Sequence, residues 1–362
     1  MTATTSAALT GPVSRIDPAT AYRRPASAPG MLRLDSNEGV LPSRALLGDL
    51  AKADPELLRR YPDVSALEAA LAARVGVAPD RLLVTAGADE AIDRACRAFL
   101  EPGRALVLPE PSFDMFDCSA ALVGGELVRV PWWGDAFPSD AFVGRLDART
   151  AVVAVVSPNN PTGSVATLAD VRRVAAAAPN ALVVLDHVYV EYADEDLTPA
   201  LLDLPNVLVL RTLSKAWGLA GCRVGYAVGS PYVIAVLRAA GGPYTVAAPS
   251  IALALAQLER GAEPLRDHVA RVREERRLLS GRLAAAGLAP RPSQANFVLV
   301  ECGPRARSLC TGLAAHGVMV RDFPGRRGLE TALRITLPGH VPDFDRLSEA
   351  LERTLQAEGL EP

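Results

Sequence analysis

Between residues 80 and 230 the chain repeatedly breaks helical stretches with short β-rich runs, several of them apolar from end to end. The runs are "RLLVTAG", "RALVLPE", "ELVRVPW", "AVVAVVSP", "ALVVLDHVYV", "NVLVLRTLS" and "RVGYAVG". A strand with one face in water alternates polar and apolar residues, whereas a strand covered on both faces has no place for the polar ones. This pattern predicts an α/β fold whose mostly parallel sheet lies between helical layers.

After "GGPYTVAAPS" the texture changes. A long amphipathic stretch, "IALALAQLERGAEPLRDHVARVREERRLLSGRLAAAG", reads as helices with an Arg-rich solvated face. Strands then recur at "ANFVLVE", "GVMVRDF" and "ALRITLP", followed by a terminal helix. The expected organisation is an N-terminal arm over 1–30, an N-terminal part of a small domain over 31–54, a large domain over 55–245, and a linker helix with the rest of the small domain over 246–362. A chain of 362 residues is long enough for two such cores.

Composition excludes several function classes. The net charge of -3 offers no general attraction to nucleic acid or to an acidic membrane. No apolar run approaches the roughly 18 residues that span a bilayer, and "MTATTSAALTGPVSRIDPAT" has no basic start followed by an apolar block, so a cytoplasmic location is expected. Cys96, Cys118, Cys222, Cys302 and Cys310 are scattered without C-x-x-C spacing, which argues against a zinc site or a disulfide framework; no metal is expected.

The 38 Lys plus Arg include only two lysines, Lys52 and Lys215, leaving 36 arginines. Arg serves for surface charge but stays protonated, whereas a Lys amine can deprotonate and form a Schiff base with an aldehyde. Lys52 sits in the polar helix face "LAKADPELLRR" and reads as solvated. Lys215 follows the strand "VLRTLSK".

Ligands of open α/β sheets gather at the carboxyl ends of the strands. There the chain places Gly87, Ala88 and Asp89 at a helix start in "VTAGADEAID", Asn160 in "VVSPNNPTGS", Asp186 and Tyr189 in "VVLDHVYVEY", and Thr212, Ser214 and Lys215 with Arg223 eight residues on. Singly these are ordinary caps, turns and surface cations. Together they meet the needs of pyridoxal 5'-phosphate. A phosphate takes a helix N-terminus, hydroxyls and an Arg; a pyridinium nitrogen takes a carboxylate; a phenolate oxygen takes donors; an aldehyde takes a Lys.

The order G-A-D-E, N-P-T-G, D-x-x-Y, S-K-x-x-G-L-A-G-x-R-x-G-Y, A-N-F, R-D-F and L-R-I-T resembles the fold-type I aminotransferases, and among them the histidinol-phosphate aminotransferase subgroup. The resemblance runs from about residue 31 to 357. It implies a three-layer α/β/α large domain with a smaller α/β domain, pyridoxal 5'-phosphate as cofactor, an amino donor and a 2-oxo acid acceptor as substrates, and a homodimer.

Residue by residue, the resemblance makes Lys215 the lysine that holds the cofactor and then moves the proton. Asp186 becomes the partner of the ring nitrogen, and Asn160 and Tyr189 the donors to the ring oxygen. Gly87, Ala88, Asp89, Thr212, Ser214 and Arg223 become the phosphate cup. Phe113, in "PSFDMF", stands where an aromatic stacks on the ring, or is a core Phe. Tyr61, in "RRYPD", stands where a tyrosine reaches the neighbouring subunit's phosphate, or packs a helix start. Arg334 stands where an Arg grips the substrate carboxylate, Asn296 in the substrate wall, Arg321 at a position used for a distal substrate group, and Asn37 near the substrate entrance.

Two stretches depart from the family. His187 and Val188 replace the usual Glu-Ala after the Asp, and Gly39 and Val40 follow Asn37 and Glu38 where Asn-Pro is common. A His beside the ring is either a proton shuttle or simply packed. Both departures bear on the substrate. Two alternatives to amino transfer stand beside it: diversion of the same cofactor to oxidation, elimination, cyclisation or decarboxylation, and a non-catalytic cofactor-binding regulator. The regulators of this type carry a helix-turn-helix domain ahead of the shared fold, for which about 30 irregular residues leave no room.

Overall fold

The computed structural model describes residues 28–360; the expected arm at 1–30 falls almost wholly outside them. Among the described residues twelve strands form two sheets: β1 (Leu32–Leu34), β2 (Leu82–Thr85), β3 (Ala105–Glu110), β4 (Glu126–Pro131), β5 (Thr150–Val156), β6 (Leu182–Asp186), β7 (Val207–Thr212), β8 (Gly225–Val228), β9 (Ala289–Pro290), β10 (Phe297–Glu301), β11 (Val318–Asp322) and β12 (Ala332–Thr336). The larger sheet has the order β2-β8-β7-β6-β5-β3-β4 and the smaller β1-β11-β12-β10-β9.

In the larger sheet only β8 runs against its neighbours β2 and β7. Two reversals cancel, so β2 points the same way as the other strands. The continuous apolar runs are explained by burial on both faces. Val152, Ala154 and Val156 of β5 join one core, with Ile92 and Ala95 of the helix Ala88–Phe99, while Val153 and Val155 join the opposite core, with Val171 and Val174 of the helix Leu168–Ala177.

The smaller sheet packs against the helices Ala262–Ala285, Ala306–Ala315 and Val341–Ala357 through Leu279, Leu313 and Leu347. Tyr189, Tyr192 and Ala216, which follow β6 and β7, lie in that same core, so the two sheets share apolar material beside the cleft between them. After β1 the chain crosses over: Leu46, in the helix Arg44–Ala51, packs with Leu213 and Trp217.

Two sequence expectations need correction. The run "ALVVLDHVYV" is a strand only to Asp186, because Val190–Tyr192 coil into a 3-10 turn whose Tyr192 is buried in the second core. The Arg-rich helix face is not merely solvated. Arg273 donates to the carbonyl of Ala193 and Arg276 to that of Ala295 at 2.9 Å, which ties the helix Ala262–Ala285 to segments near the cleft. Among the described residues no helix is long and apolar enough to cross a membrane.

Candidate active site

The carboxyl ends of β2, β3, β5, β6 and β7, together with the amino end of the reversed β8, meet the loops after β1 and β11 around one cleft. It is lined by Asn37, Ala88, Asp89, Phe113, Asn160, Asp186, Tyr189, Thr212, Ser214, Lys215, Arg223, Arg321 and Arg334 of the expected residues. Asp35, Ser36, Ser112, Asp114, Val188, Phe323 and Arg326 are among those added by the structure. No group of three His, Cys, Asp or Glu suited to a metal occurs among the described residues.

Lys215 is half-buried; its Nζ donates to the carbonyl oxygen of Ser36 at 3.2 Å and lies 5.5 Å from the centre of the Tyr189 ring. Asp186 is buried, and among the described residues its carboxylate accepts only a long 3.4 Å hydrogen bond, from the Val188 N–H. Burial pushes its pKa up to about 7; the Val188 N–H opposes, Asp89 adds to the rise, and Lys215 opposes it. A buried carboxylate so poorly paired fits a cationic ring nitrogen, which would supply the missing charge.

The end of the cleft at Gly87 and Arg223 is built on close contact. Gly87 has φ 80°, and a Cβ there would stand 2.4 Å from Arg223 Nη2; a Cβ on Gly225 would stand 2.4 Å from the Gly87 carbonyl carbon. These two glycines let the Arg223 segment sit against the N-terminus of the helix Ala88–Phe99, where free N–H groups suit an anion. Arg223 donates to Asp89 at 3.0 Å and to Ser214 at 3.4 Å. Thr212 donates to the Val224 carbonyl at 3.3 Å and accepts from the Ser214 N–H at 3.1 Å.

On the opposite wall Arg334, 7% exposed, donates to the Asn160 side-chain oxygen at 2.6 Å and to the Asp35 carbonyl at 2.7 Å. Because a guanidinium only donates, Asn160 must turn its oxygen toward Arg334, which leaves its NH2 for the cleft. Arg321 and Arg334 are register partners on β11 and β12. Two like charges directly across a sheet repel, and an anion in the cleft relieves that repulsion.

Asn37 has φ 55°, and its side chain donates to the Tyr189 hydroxyl at 2.9 Å. Thr336, which sequence reasoning missed, donates to the Asn37 side-chain oxygen at 2.9 Å. Asn296 is fully buried behind this loop, donating to the carbonyls of Asn37 and Glu38 at 3.2 and 3.3 Å. It supports the wall from behind, where it was expected to line it.

Gly39 explains one departure from the family pattern. A Cβ on it would stand 1.7 Å from the Lys215 carbonyl oxygen, and a Cβ on Gly218 would stand 2.2 Å from that of Val40. The loop and the lysine turn pack backbone on backbone. Gly39→Ala is expected to force them apart, lowering stability by about 1–3 kcal/mol, as overpacking does, and weakening cofactor affinity. Thermal melts and cofactor titration check this; an unchanged affinity would show that the loop does not set the lysine.

His187 lies outside the cleft lining. Its Nδ1 donates to the Ser157 carbonyl and its Nε2 accepts from the Leu197 N–H at 3.3 Å, which fixes a neutral ring. Burial lowers its pKa to about 4; Arg211 lowers it further, and the Ser157 carbonyl and Asp196 oppose. The unfolded chain therefore takes up this proton first, and stability contributed by neutral His187 is lost as pH falls from 6.5 toward 4, by roughly 3 kcal/mol. Asp186 titrates with the opposite sign over that range. The measurement is thus a difference: the stability of the apo protein minus that of His187→Gln should shrink on acidification, and a constant difference would contradict the assignment.

Tyr61 is also outside the cleft. It is 81% exposed and stacks on Tyr244, with ring centres 4.7 Å apart.

The comparisons agree with this chemistry. The family described as "Aminotransferase class I and II" matches residues 29–352. A curated histidinol-phosphate aminotransferase from Symbiobacterium thermophilum is 36% identical over 279 residues, covering 76% of both chains. One from Prosthecochloris aestuarii is 34% identical over 279 residues, covering 76% of this chain and 77% of its own. The crystal structure of histidinol-phosphate aminotransferase from Sinorhizobium meliloti in complex with pyridoxal-5'-phosphate is similar at TM-score 0.81 and 29% identity, covering 91% of each chain.

Proposed function

Because the chain belongs to the class I and II aminotransferases and works with pyridoxal 5'-phosphate, we propose that Lys215 holds this cofactor and that the substrate is an L-amino acid or an amino compound resembling histidinol phosphate. A 2-oxo acid then receives the amino group. The observation that carries the reading is the pairing, within one cleft, of the half-buried Lys215 amine with the buried and weakly bonded Asp186 carboxylate.

When bound, the cofactor supplies an aldehyde that takes up the amino group and a ring that accepts electrons from the substrate Cα. The chain's residues do the rest. Asp186 keeps a proton on the ring nitrogen. Asn160 and Tyr189 would offer hydrogen bonds to the ring oxygen, and Phe113 would pack against the ring. Arg223, Ser214, Thr212 and the amides after Gly87 hold the phosphate. Lys215, beside Tyr189, would hold the cofactor through its amine and, as a free amine, would carry the proton that leaves the substrate Cα. Arg334 grips the substrate carboxylate with its planar fork, and Arg321 faces a more distant substrate group.

The homodimer and the cytoplasmic location belong to this reading. Leu41, Leu47, Leu58, Tyr61 and Tyr244 are all more than half exposed on adjoining segments, an apolar surface that a second copy would cover. Tyr61 then reaches the partner's phosphate.

The experiment is incubation of the purified protein with a panel of amino acids, amino-alcohol phosphates and 2-oxo acids, read by mass spectrometry, with sedimentation at assay concentration. Stoichiometric exchange of amino and oxo groups by a dimer is expected. Release of ammonia, consumption of oxygen or loss of carbon dioxide would assign the alternative chemistries, and an active monomer would remove the role of Tyr61.

A further inference from the structure

We propose that Arg326 is a positioning residue, a strap from the smaller sheet that crosses the mouth of the cleft and fixes the segment carrying Phe113. The proposal rests on the reading of Phe113 as the residue that stacks on the cofactor ring.

Arg326 lies in the loop between β11 and β12. That loop is anchored at both ends: Phe323 and Leu329 are buried with Leu299 and Ala332, and Trp133 packs against them. Within it the Arg326 N–H donates to the Phe323 carbonyl at 3.2 Å and the Leu329 N–H to the Arg326 carbonyl at 2.9 Å, closing a turn. Gly328, at φ 76°, brings its backbone so close to Trp133 that a Cβ would stand 2.6 Å from the indole Cζ2. The main chain of Arg326 is thereby held against the larger sheet's side of the cleft.

Its side chain grips the two residues that flank Phe113. Nη2 donates to the Ser112 carbonyl at 2.6 Å, and Nη1 forms an ion pair with Asp114. Asp114 also opens the helix Met115–Val123, so the contact fixes where that helix starts. Phe113 and Arg326 both line the cleft. The Asp114 side chain is 55% exposed, and an exposed ion pair of this kind contributes little alone. The geometry comes from the two-pronged grip, with the carbonyl of the buried Ser112 as one prong; a planar guanidinium reaches the two prongs from separate, rigidly spaced nitrogens, whereas an ammonium must reach both from one. Phe113 itself is only partly buried against the neighbouring core, so packing alone leaves it freedom that the strap removes.

The test uses pyridoxal 5'-phosphate binding to the apo protein and the visible circular dichroism of the bound cofactor, which reports the asymmetry of its surroundings. Arg326→Ala and Arg326→Lys are both expected to reduce the dichroic band and to raise the cofactor dissociation constant about tenfold. KM should rise equally for substrates with and without a second anionic group. In a Phe113→Ala background, Arg326→Ala should change these quantities less than twofold, because the strap acts through Phe113. Unchanged dichroism with KM raised only for substrates bearing a second anion would overturn the proposal and make Arg326 a substrate ligand. Full additivity with Phe113→Ala would overturn it too, as would variants indistinguishable from the unaltered protein. If Arg326→Ala unfolds, Arg326→Lys with Asp114→Asn carries the same comparison. An unaltered protein that binds no cofactor would instead refute the underlying functional reading.

Discussion

Lys215→Arg is expected to lower amino transfer roughly ten-thousand-fold while leaving the fold intact, the range general acid–base groups command when removed outright. Arg keeps the positive charge that faces Ser36 and Asp186, so electrostatics in the cleft change little. What disappears is an amine that can lose its proton, and with it both covalent attachment of the cofactor and proton transfer at the substrate. Borohydride reduction of the unaltered protein should fix the cofactor on the peptide containing Lys215. A label on Lys52, or activity within a factor of ten in Lys215→Arg, would remove Lys215 from its assigned role.

Asp186→Asn is expected to reduce kcat by roughly a hundred- to a thousandfold, the scale seen when one preorganised electrostatic group is removed, with a smaller change in KM. A neutral amide does not hold a proton on the ring nitrogen, so the ring accepts electrons less readily. The same change should act oppositely on stability. Asp186 has a folded pKa of about 7, above its ordinary 3.8, so the stabilisation it gives in the protonated form is complete below about pH 4 and is lost as pH rises through 7. That interval corresponds to roughly 4 kcal/mol. Asn does not titrate. The apo variant should therefore be the more stable protein at pH 8, while the two converge near pH 4. An effect on KM alone, or an apo variant less stable at pH 8, would count against the buried unpaired carboxylate.

Much of the cleft was legible because its chemistry needs particular side chains. Only Lys offers an aldehyde an amine, and among 36 arginines its survival at 215 stands out. The carboxyl ends of the strands pointed to Asp186 and Arg223, the resemblance added Arg334, and the structure brings all of them into one cleft. Other parts of the site left no such trace. The carbonyls of Ser36, Asp35 and Ser112 receive Lys215, Arg334 and Arg326, and any residue type carries a carbonyl. Thr336 and Asn296 act on a loop 299 and 259 residues earlier in the chain, distances over which no local pattern speaks. The apolar run through Asp186 concealed the end of β6, since Tyr189 and Tyr192 are buried as strand residues are, but in a different core. His187 was open to two readings because a histidine's state depends on what tertiary structure places at each ring nitrogen.

The pairing of β1 with β11 sets a constraint on how the protein matures on the ribosome. Leu32 is made 286 residues (318 − 32) before its partner Val318. The larger sheet, from β2 to β8, has all its strands by residue 228 and can condense while translation continues. The loop after β1, which receives Lys215 and is pinned by Asn296 and Thr336, has no seat until those late residues arrive. The nascent chain thus carries Lys215 and Arg223 well before the loop that packs on the lysine is seated, so on the proposed reading tight cofactor retention waits for β11 and β12.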